Sequence, residues 1–534
     1  VRAALETLYQ RLNQPRDIAA LAVFRMLFGG LMFVGTLRFM ASDWIDWFYV
    51  QPSFHFKYWG FAWVQVPGET GLYLLYGGIA LSALLVALGA FYRVAIVAFW
   101  CLFTYAELMD VTTYLNHYYF VSLLALILCF LSPHRAWSVD AWRRPGLRAQ
   151  TLPAWQTDWL RFQVGLLYFY AGWAKFETDW LLHAQPLNLW LPPHAGMPLI
   201  GPLLDEVWVH YAFSWFAFVF DVTIIGFMLW KPARPYAFAV IVVFHVLTHL
   251  FFNIGLFPFI MVLSVLIFFE PDWPRRWFGR RPADVPLPPG EGGTVRGADG
   301  GVRAPQVALL MIDGRTVRGA DGGGRETRQP GNRESGIGNR EARVGREPTA
   351  SWRPASAAFA LAVTAFCLLQ FLLPLRHWLY PGTVLWHEQG MRFSWRVMLR
   401  EKSGAVSYRV VDADGRTWVV TPRDYLSELQ YREMAGQPDL ILQLAHRIRD
   451  DFNARGKGPV QVYADAWVSL NGRPAQRLIA AEADLAQVRD GLARADWITA
   501  APERAPPTHP PLRVPRRERA ETRTDPLTEP GASL

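Results

Sequence analysis

"YFYAGWAKFETDW", residues 168–180, runs through two turns of apolar and aromatic side chains and then sets Lys175 near the end of the run. It reads as the end of a membrane span, and the composition around it agrees. Of 534 residues, 52% are hydrophobic and 15% aromatic against 18% charged, which is too apolar for an ordinary soluble protein. The 24 tryptophans suit an integral membrane protein, because indole favours the headgroup layer, where one edge is wet and the other apolar. Only three cysteines occur, Cys101, Cys129 and Cys367, all in apolar stretches, so a disulfide framework and a cysteine-rich zinc site are excluded. The beginning, "VRAALETLYQRLNQPRD", lacks the apolar core and small-residue cleavage site of a secretory signal, so insertion is expected to rely on the first span.

Working outward, apolar segments lie near 18–40, 72–92, 94–109, 117–131, 160–176, 209–230, 235–252, 255–269 and 354–373. Several fall short of the roughly 20 residues of a full span. The net charge of +8 must be read by place rather than as an affinity for nucleic acid. Arg2, Arg11, Arg16, Arg93, Arg135, Arg143, Arg144, Arg148, Lys231, Arg234, Arg275, Arg276, Arg280 and Arg281 all fall on the N-terminal side if there are nine spans. The alternate loops, 41–71, 110–116 and 177–208, are poor in Lys and Arg. The N-terminus is therefore expected in the cytoplasm and everything after 373 outside it.

The fold class is a polytopic α-helical membrane protein of about nine spans with a C-terminal α+β extracytoplasmic domain. Its expected parts are a transmembrane domain over 1–282, a low-complexity cytoplasmic linker over 283–352, a last span over 353–374, the outer domain over 375–500 and a disordered tail over 501–534. The linker rests on "TVRGADGG", which occurs at 294 and again at 316 with few aromatics around it. In the outer domain, alternation predicts strands over 392–399, 405–413 and 417–422, the last two joined through Asp414-Gly415. Helices are expected near 423–434 and 438–454, and a further hairpin turns at Asn471-Gly472.

An ionised side chain at mid-membrane costs about 2.5–3.5 kcal/mol on insertion scales, so such residues are functional candidates. Arg25, His117, Lys175, Asp221, His245 and His249 qualify. The orientation brings Lys175, His117, His245, His249 and the amide Asn116 toward the outer leaflet, with Asp221 near mid-depth. Bland readings stand beside these. Arg25 suits a structural role, paired with a carboxylate or with helix carbonyls. Lys175 could snorkel toward the headgroups and pair with Glu177 or Asp179. "HVLTH", 245–249, has ligand spacing for one metal, but no further histidine box occurs among the 12 histidines and no metal site is assigned. Serine-hydrolase, P-loop and dinucleotide-binding motifs are absent.

Seven motifs taken in order carry a resemblance: "LAVFRMLFG" (21–29), "YLNHYYFVSLL" (114–124), "HRAWSVDAW" (134–142), "YFYAGWAKFETDW" (168–180), "FHVLTHLFFNIGLFP" (244–258), "PDWPRRW" (271–277) and "YADAWVSLNGRPAQRLI" (463–479). Together they resemble the vitamin K-dependent gamma-glutamyl carboxylase family, including its horizontally transferred transmembrane (HTTM) domain. The likeness covers roughly 12–281 and 354–480, and the insertion at 283–352 departs from it. It implies an enzyme that oxidises vitamin K hydroquinone, or a related menaquinol, with O2 to the epoxide and couples this to carboxylation of a peptide glutamate by CO2. Lys175 falls on the family's quinol-deprotonating lysine and His117 and Asn116 on the neighbouring pair of the same pocket, which makes the three the candidate catalytic residues, the pair holding the quinol oxygen or stabilising its developing charge. His245 falls on a family histidine, whereas His249 has no counterpart. His245, Asp221, Tyr114 and Trp173 are the candidate quinol-binding residues.

The family chemistry agrees with the residues. Lysine is ordinarily protonated to about pH 10.4, so it acts as a base only where its surroundings favour the amine, as apolar burial does. The implied partners are a lipid quinol, the bilayer and a glutamate-containing peptide, with no nucleic acid. Three alternatives remain: a quinol epoxidase without carboxylation, a metal-dependent membrane oxygenase, and a non-catalytic lipid- or quinone-binding protein.

Overall fold

The computed structural model describes residues 2–252, 254–278 and 357–508. The predicted linker at 283–352 and the tail beyond 508 lie outside the described residues. The described residues form one compact unit.

All nine apolar segments are helical: α1 (Ala19–Ala41), α2 (Glu69–Leu88), α3 (Tyr92–Leu108), α4 (Asn116–Phe130), α5 (Ala154–Ala174), α6 (Val207–Leu229), α7 (Arg234–Phe251), α8 (Phe257–Val265) and α9 (Ala357–Leu372). Nine crossings do not follow. Among the described residues five helices are long and apolar enough to cross a membrane: α1, α2, α6, α7 and the stretch Ala358–Leu379 that contains α9. The apolar helices Asn116–Phe130 and Phe257–Phe268 are shorter. At about 1.5 Å per residue, the nine residues of α8 reach less than half of a roughly 30 Å hydrocarbon layer. It touches α1, α4, α5 and α7 and buries Ile260, Met261 and Val265, so it serves as a central plug. The apolar helices mark a membrane protein, and among the described residues they outnumber those long enough to cross.

Consecutive helices pack as neighbours from α1 to α4 and from α5 to α8. Arg25 shows how α1 carries a charge inside this packing. Its side chain is wholly buried, and Nη1 donates to Val86 O and Ala87 O at 2.8 and 2.6 Å while Nη2 donates to Trp137 O at 2.7 Å. Helix carbonyls left over where α2 ends thus take the guanidinium, the structural role expected of it. Gly89 ends α2 at φ +64°, and a Cβ there would lie 2.6 Å from Arg25 Nη1, so both backbone and space require glycine.

The basic loops converge where α1 begins. Ala20 N donates to Pro271 O, Arg275 pairs with Asp17 at 2.9 Å, and Arg234 pairs with Glu270 at 3.3 Å. The loops poor in basic residues meet the C-terminal domain at the other end. Gln430 Nε2 donates to Phe54 O and Asp110 Oδ2, and Gln443 exchanges two 2.9 Å hydrogen bonds with the Lys57 backbone.

That domain is an antiparallel sheet of β1 (Lys402–Asp412), β2 (Thr417–Val420), β3 (Val460–Leu470) and β4 (Gln476–Arg477), in the order β2-β1-β3-β4. Val410 stands opposite Trp418 on one side and Val462 on the other. Alternate residues of β3 are buried, as one covered face requires, and α10 (Glu428–Ala435) and α11 (Pro438–Ala454) cover it. Ser427 and Gln430 form a capping box that starts α10. Asn471 at φ +51° and Gly472 at φ +75° form the expected turn between β3 and β4. Residues 501–508 stay packed on the domain, where Arg504 O and Pro507 O accept from Arg473 and Gln185.

The expected strand over 392–399 does not form. Phe393, Trp395 and Met398 have φ of +62°, +60° and +55°, which no strand permits. Burial does not alternate here: Ser394, Trp395 and Arg396 are buried in succession, and Phe393 packs on Tyr114 and Tyr119 of the helical part.

Candidate active site

α5 ends at Lys175, whose backbone N–H closes the last turn on Gly172 O. Lys175 is 6% exposed, as is Asp221 on α6, and Lys175 Nζ lies 2.7 Å from Asp221 Oδ2. Nζ also donates to Ala171 O at 3.1 Å and sits 5.3 Å from the centre of the Trp180 ring. Gly172 makes the pair possible. A Cβ there would stand 2.9 Å from Val222 N and 3.2 Å from the Asp221 carbonyl carbon, so only glycine lets α5 come this close to α6.

Seven residues before Lys175, two turns back on the same helix face, is Tyr168. It is 1% exposed and its hydroxyl lies 3.1 Å from His245 Nε2 on α7. Both polar pairs open onto one cavity of about 380 Å³. The rest of its wall is almost wholly apolar, with Phe213, Phe216, Phe244, Phe251, Phe257 and Trp190. Val397 and Met398, from the strained segment of the outer domain, also line it. A deep, aromatic-lined chamber with a few convergent polar groups is the usual form of a small-molecule site.

The cavity therefore unites three of the residues singled out in the sequence: Lys175, Asp221 and His245. Others lie elsewhere. His117 is 5% exposed, and its ring stands 5.9 Å from that of Phe257, which itself lies 5.7 Å from His245. Both rings thus pack on Phe257, His117 is not among the residues that line the cavity, and its Nε2 has no hydrogen-bond partner among the described residues. Asn116 accepts from the Tyr114 hydroxyl, which in turn accepts from Phe393 N. Tyr114 and Asn116 hold the strained segment rather than line the chamber. Trp173 is 47% exposed on the outside of α5, stacked on Phe169. His249 is exposed while His245 is buried, so one turn of helix separates a cavity wall from a free surface. Among the described residues no group of three or more His, Cys, Asp or Glu side chains is placed to hold a metal.

Glu177 and Asp179, which the sequence offered as partners for Lys175, pair with the outer domain instead. Arg396 Nη1 lies 2.6 Å from Glu177 Oε1. Arg473 grips both Asp179 oxygens at 2.6 Å, and Asn471 adds a 2.8 Å hydrogen bond. Burial opposes the charge on Asp179, yet Arg473 and Asn471 hold its carboxyl below the ordinary value. The ion pair thus stabilises the fold above the ordinary carboxyl range and is lost only as the pH falls through the lowered value. Arg473→Ala should cost about 3–5 kcal/mol, because it leaves a mostly buried carboxylate unpaired. Thermal unfolding in detergent checks this, and an unchanged midpoint would mean that the bidentate contact does not hold the domain in place.

Tyr168 is the site residue that sequence reading missed. Its signal was the seven-residue spacing to Lys175 within one motif. Residues 13–273 match the family described as "HTTM domain", and residues 355–504 match "Vitamin K-dependent gamma-carboxylase, lumenal domain". No solved structure matches the chain.

Proposed function

Because the chain belongs to the vitamin K-dependent gamma-carboxylase family, we propose that its cavity oxygenates a reduced vitamin K or menaquinol and that this drives carboxylation of a peptide glutamate. The observation that carries the reading is the Lys175–Asp221 pair, 2.7 Å apart in the wall of an apolar chamber. The residues present fit such a ligand: aromatic walls suit a fused ring and an isoprenoid chain, and the two polar pairs suit the ring oxygens. Bound there, the quinol supplies the oxidation by O2 whose strongly basic product removes the glutamyl γ-proton, so that CO2 can add.

Lys175 is the proton acceptor in this scheme. A neutral amine has two N–H bonds, and Ala171 O and Asp221 Oδ2 take both. The lone pair then faces a third direction, where a ring hydroxyl can deliver its proton. Asp221 Oδ2 then accepts a hydrogen bond from the ammonium that results. Tyr168 and His245 are assigned to the second ring oxygen, the tyrosine as donor and the histidine as its fixed neighbour. Val397 and Met398 exclude water, which would otherwise protonate the carbanion ahead of CO2. Asn116 and His117 act from behind the chamber wall by supporting it.

The C-terminal domain is extracytoplasmic in this reading and the N-terminus cytoplasmic. The lumenal-domain match and the gathering of basic loops at the far end of the bundle support that orientation. The test supplies reduced vitamin K or menaquinol, O2, labelled CO2 and a glutamyl peptide, and measures epoxide and fixed label separately. Both products are expected. Epoxide without label would retain the quinol oxygenase and remove carboxylation, and neither product from folded protein would overturn the reading.

A further inference from the structure

The mechanism leaves the ion pair of Arg396 with Glu177 unused. Arg396 is 8% exposed, lies beside the two residues that roof the cavity, and has two partners there. Nη1 meets Glu177 at 2.6 Å, Nη2 lies 3.0 Å from His377 Nε2, and Val397 and Met398 follow in the chain. Glu177 in turn follows Lys175 by two residues, and Glu177 N donates to Lys175 O at 2.8 Å. The pair therefore bridges the lid of the chamber and the lysine in its wall.

A glutamate carboxylate already sits on this arginine. We infer that Glu177 occupies the place of the substrate's glutamate, and that Arg396 exchanges the internal carboxylate for that of an incoming glutamyl peptide. The inference rests on the carboxylase reading. The exchange is electrostatically even, one guanidinium–carboxylate contact for another, and it frees the roof as the peptide arrives. Two features make the internal contact replaceable. The Glu177 side chain is 24% exposed against 6% for Arg396, so a ligand approaches from the glutamate's side. Burial also pushes the Glu177 carboxyl above its ordinary value despite Arg396, so its anionic form is held at a cost. The positive φ of Phe393, Trp395 and Met398 places local strain in this same roof, where an alternative conformation would relieve it.

Binding tests this without catalysis. The full chain in lipid nanodiscs is titrated into a fluorescent, end-capped pentapeptide with one central glutamate, and into the same peptide with glutamine. The native protein should prefer the glutamyl peptide by about tenfold, the worth of a charge-assisted contact. In the double variant Arg396→Gln, Glu177→Gln, a neutral pair able to hydrogen-bond keeps the roof attached, and the preference should fall below about twofold. Glu177→Gln alone should tighten glutamyl binding by about threefold or more, because the internal competitor loses its charge. No glutamyl preference in the native protein, or its persistence in the double variant, would overturn the exchange; so would unchanged or weaker binding in Glu177→Gln. A glutamyl preference in protein that makes neither epoxide nor fixed label would uphold this contact while the catalytic reading fell.

Discussion

Lys175→Ala should lower epoxide formation by about 10²–10⁴-fold, the usual contribution of a positioned proton acceptor. Lys175→Arg should do no better, because guanidinium stays protonated and cannot take the proton. Removing the amine also strands the Asp221 carboxylate, which is 6% exposed, and breaking such a pair destabilises by about 3–5 kcal/mol. Stability and chemistry must therefore be separated. The double variant Lys175→Met, Asp221→Leu replaces the pair with apolar groups of similar size, which is often neutral for folding. It should unfold near the native temperature and still make no epoxide. Epoxide at native rates from any of these variants would remove Lys175 from the reaction.

Gly172→Val should cost at least about 10²-fold in turnover with no charge altered. Its side chain would drive into Val222, whose backbone nitrogen lies within 2.9 Å of a Cβ at this position, and force α5 from α6. Lys175 and Asp221 sit on those two helices, and a displacement of about 1 Å at a reacting group is enough for a loss of this size. Steady-state epoxidation of Gly172→Ala and Gly172→Val should fall in order of side-chain size. Equal activity of all three proteins would show that the helix spacing is not set here.

How much of this was legible in the chain differed by level. The helices were readable because a membrane forces long apolar runs, and all nine runs are helical. Their number as crossings was not, because α8 is apolar by virtue of burial among other helices rather than contact with lipid. In the outer domain the hairpin turn at Asn471-Gly472 followed from local backbone chemistry. The strand over 392–399 failed because its aromatic residues pack against the helical part instead of a sheet face, with positive φ at Phe393, Trp395 and Met398. The site divided similarly. Depth arguments put Lys175, Asn116 and His117 at one level, but they have no power over azimuth around the bundle, and neither of the last two lines the chamber. Tyr168 shared a helix face with Lys175 and was there to be found. The partners of Glu177 and Asp179 were not, since Arg396 and Arg473 lie more than two hundred residues away in sequence.

The last helix touches the bundle chiefly through side chains such as Phe359 and Phe366, packed against Trp155 and Trp159. The outer domain is fastened independently, at Asp179, Glu177, Lys57 and Asp110. The C-terminal part is thus held by side-chain contacts of its own, and two polypeptides joined only by such contacts would still meet around one cavity.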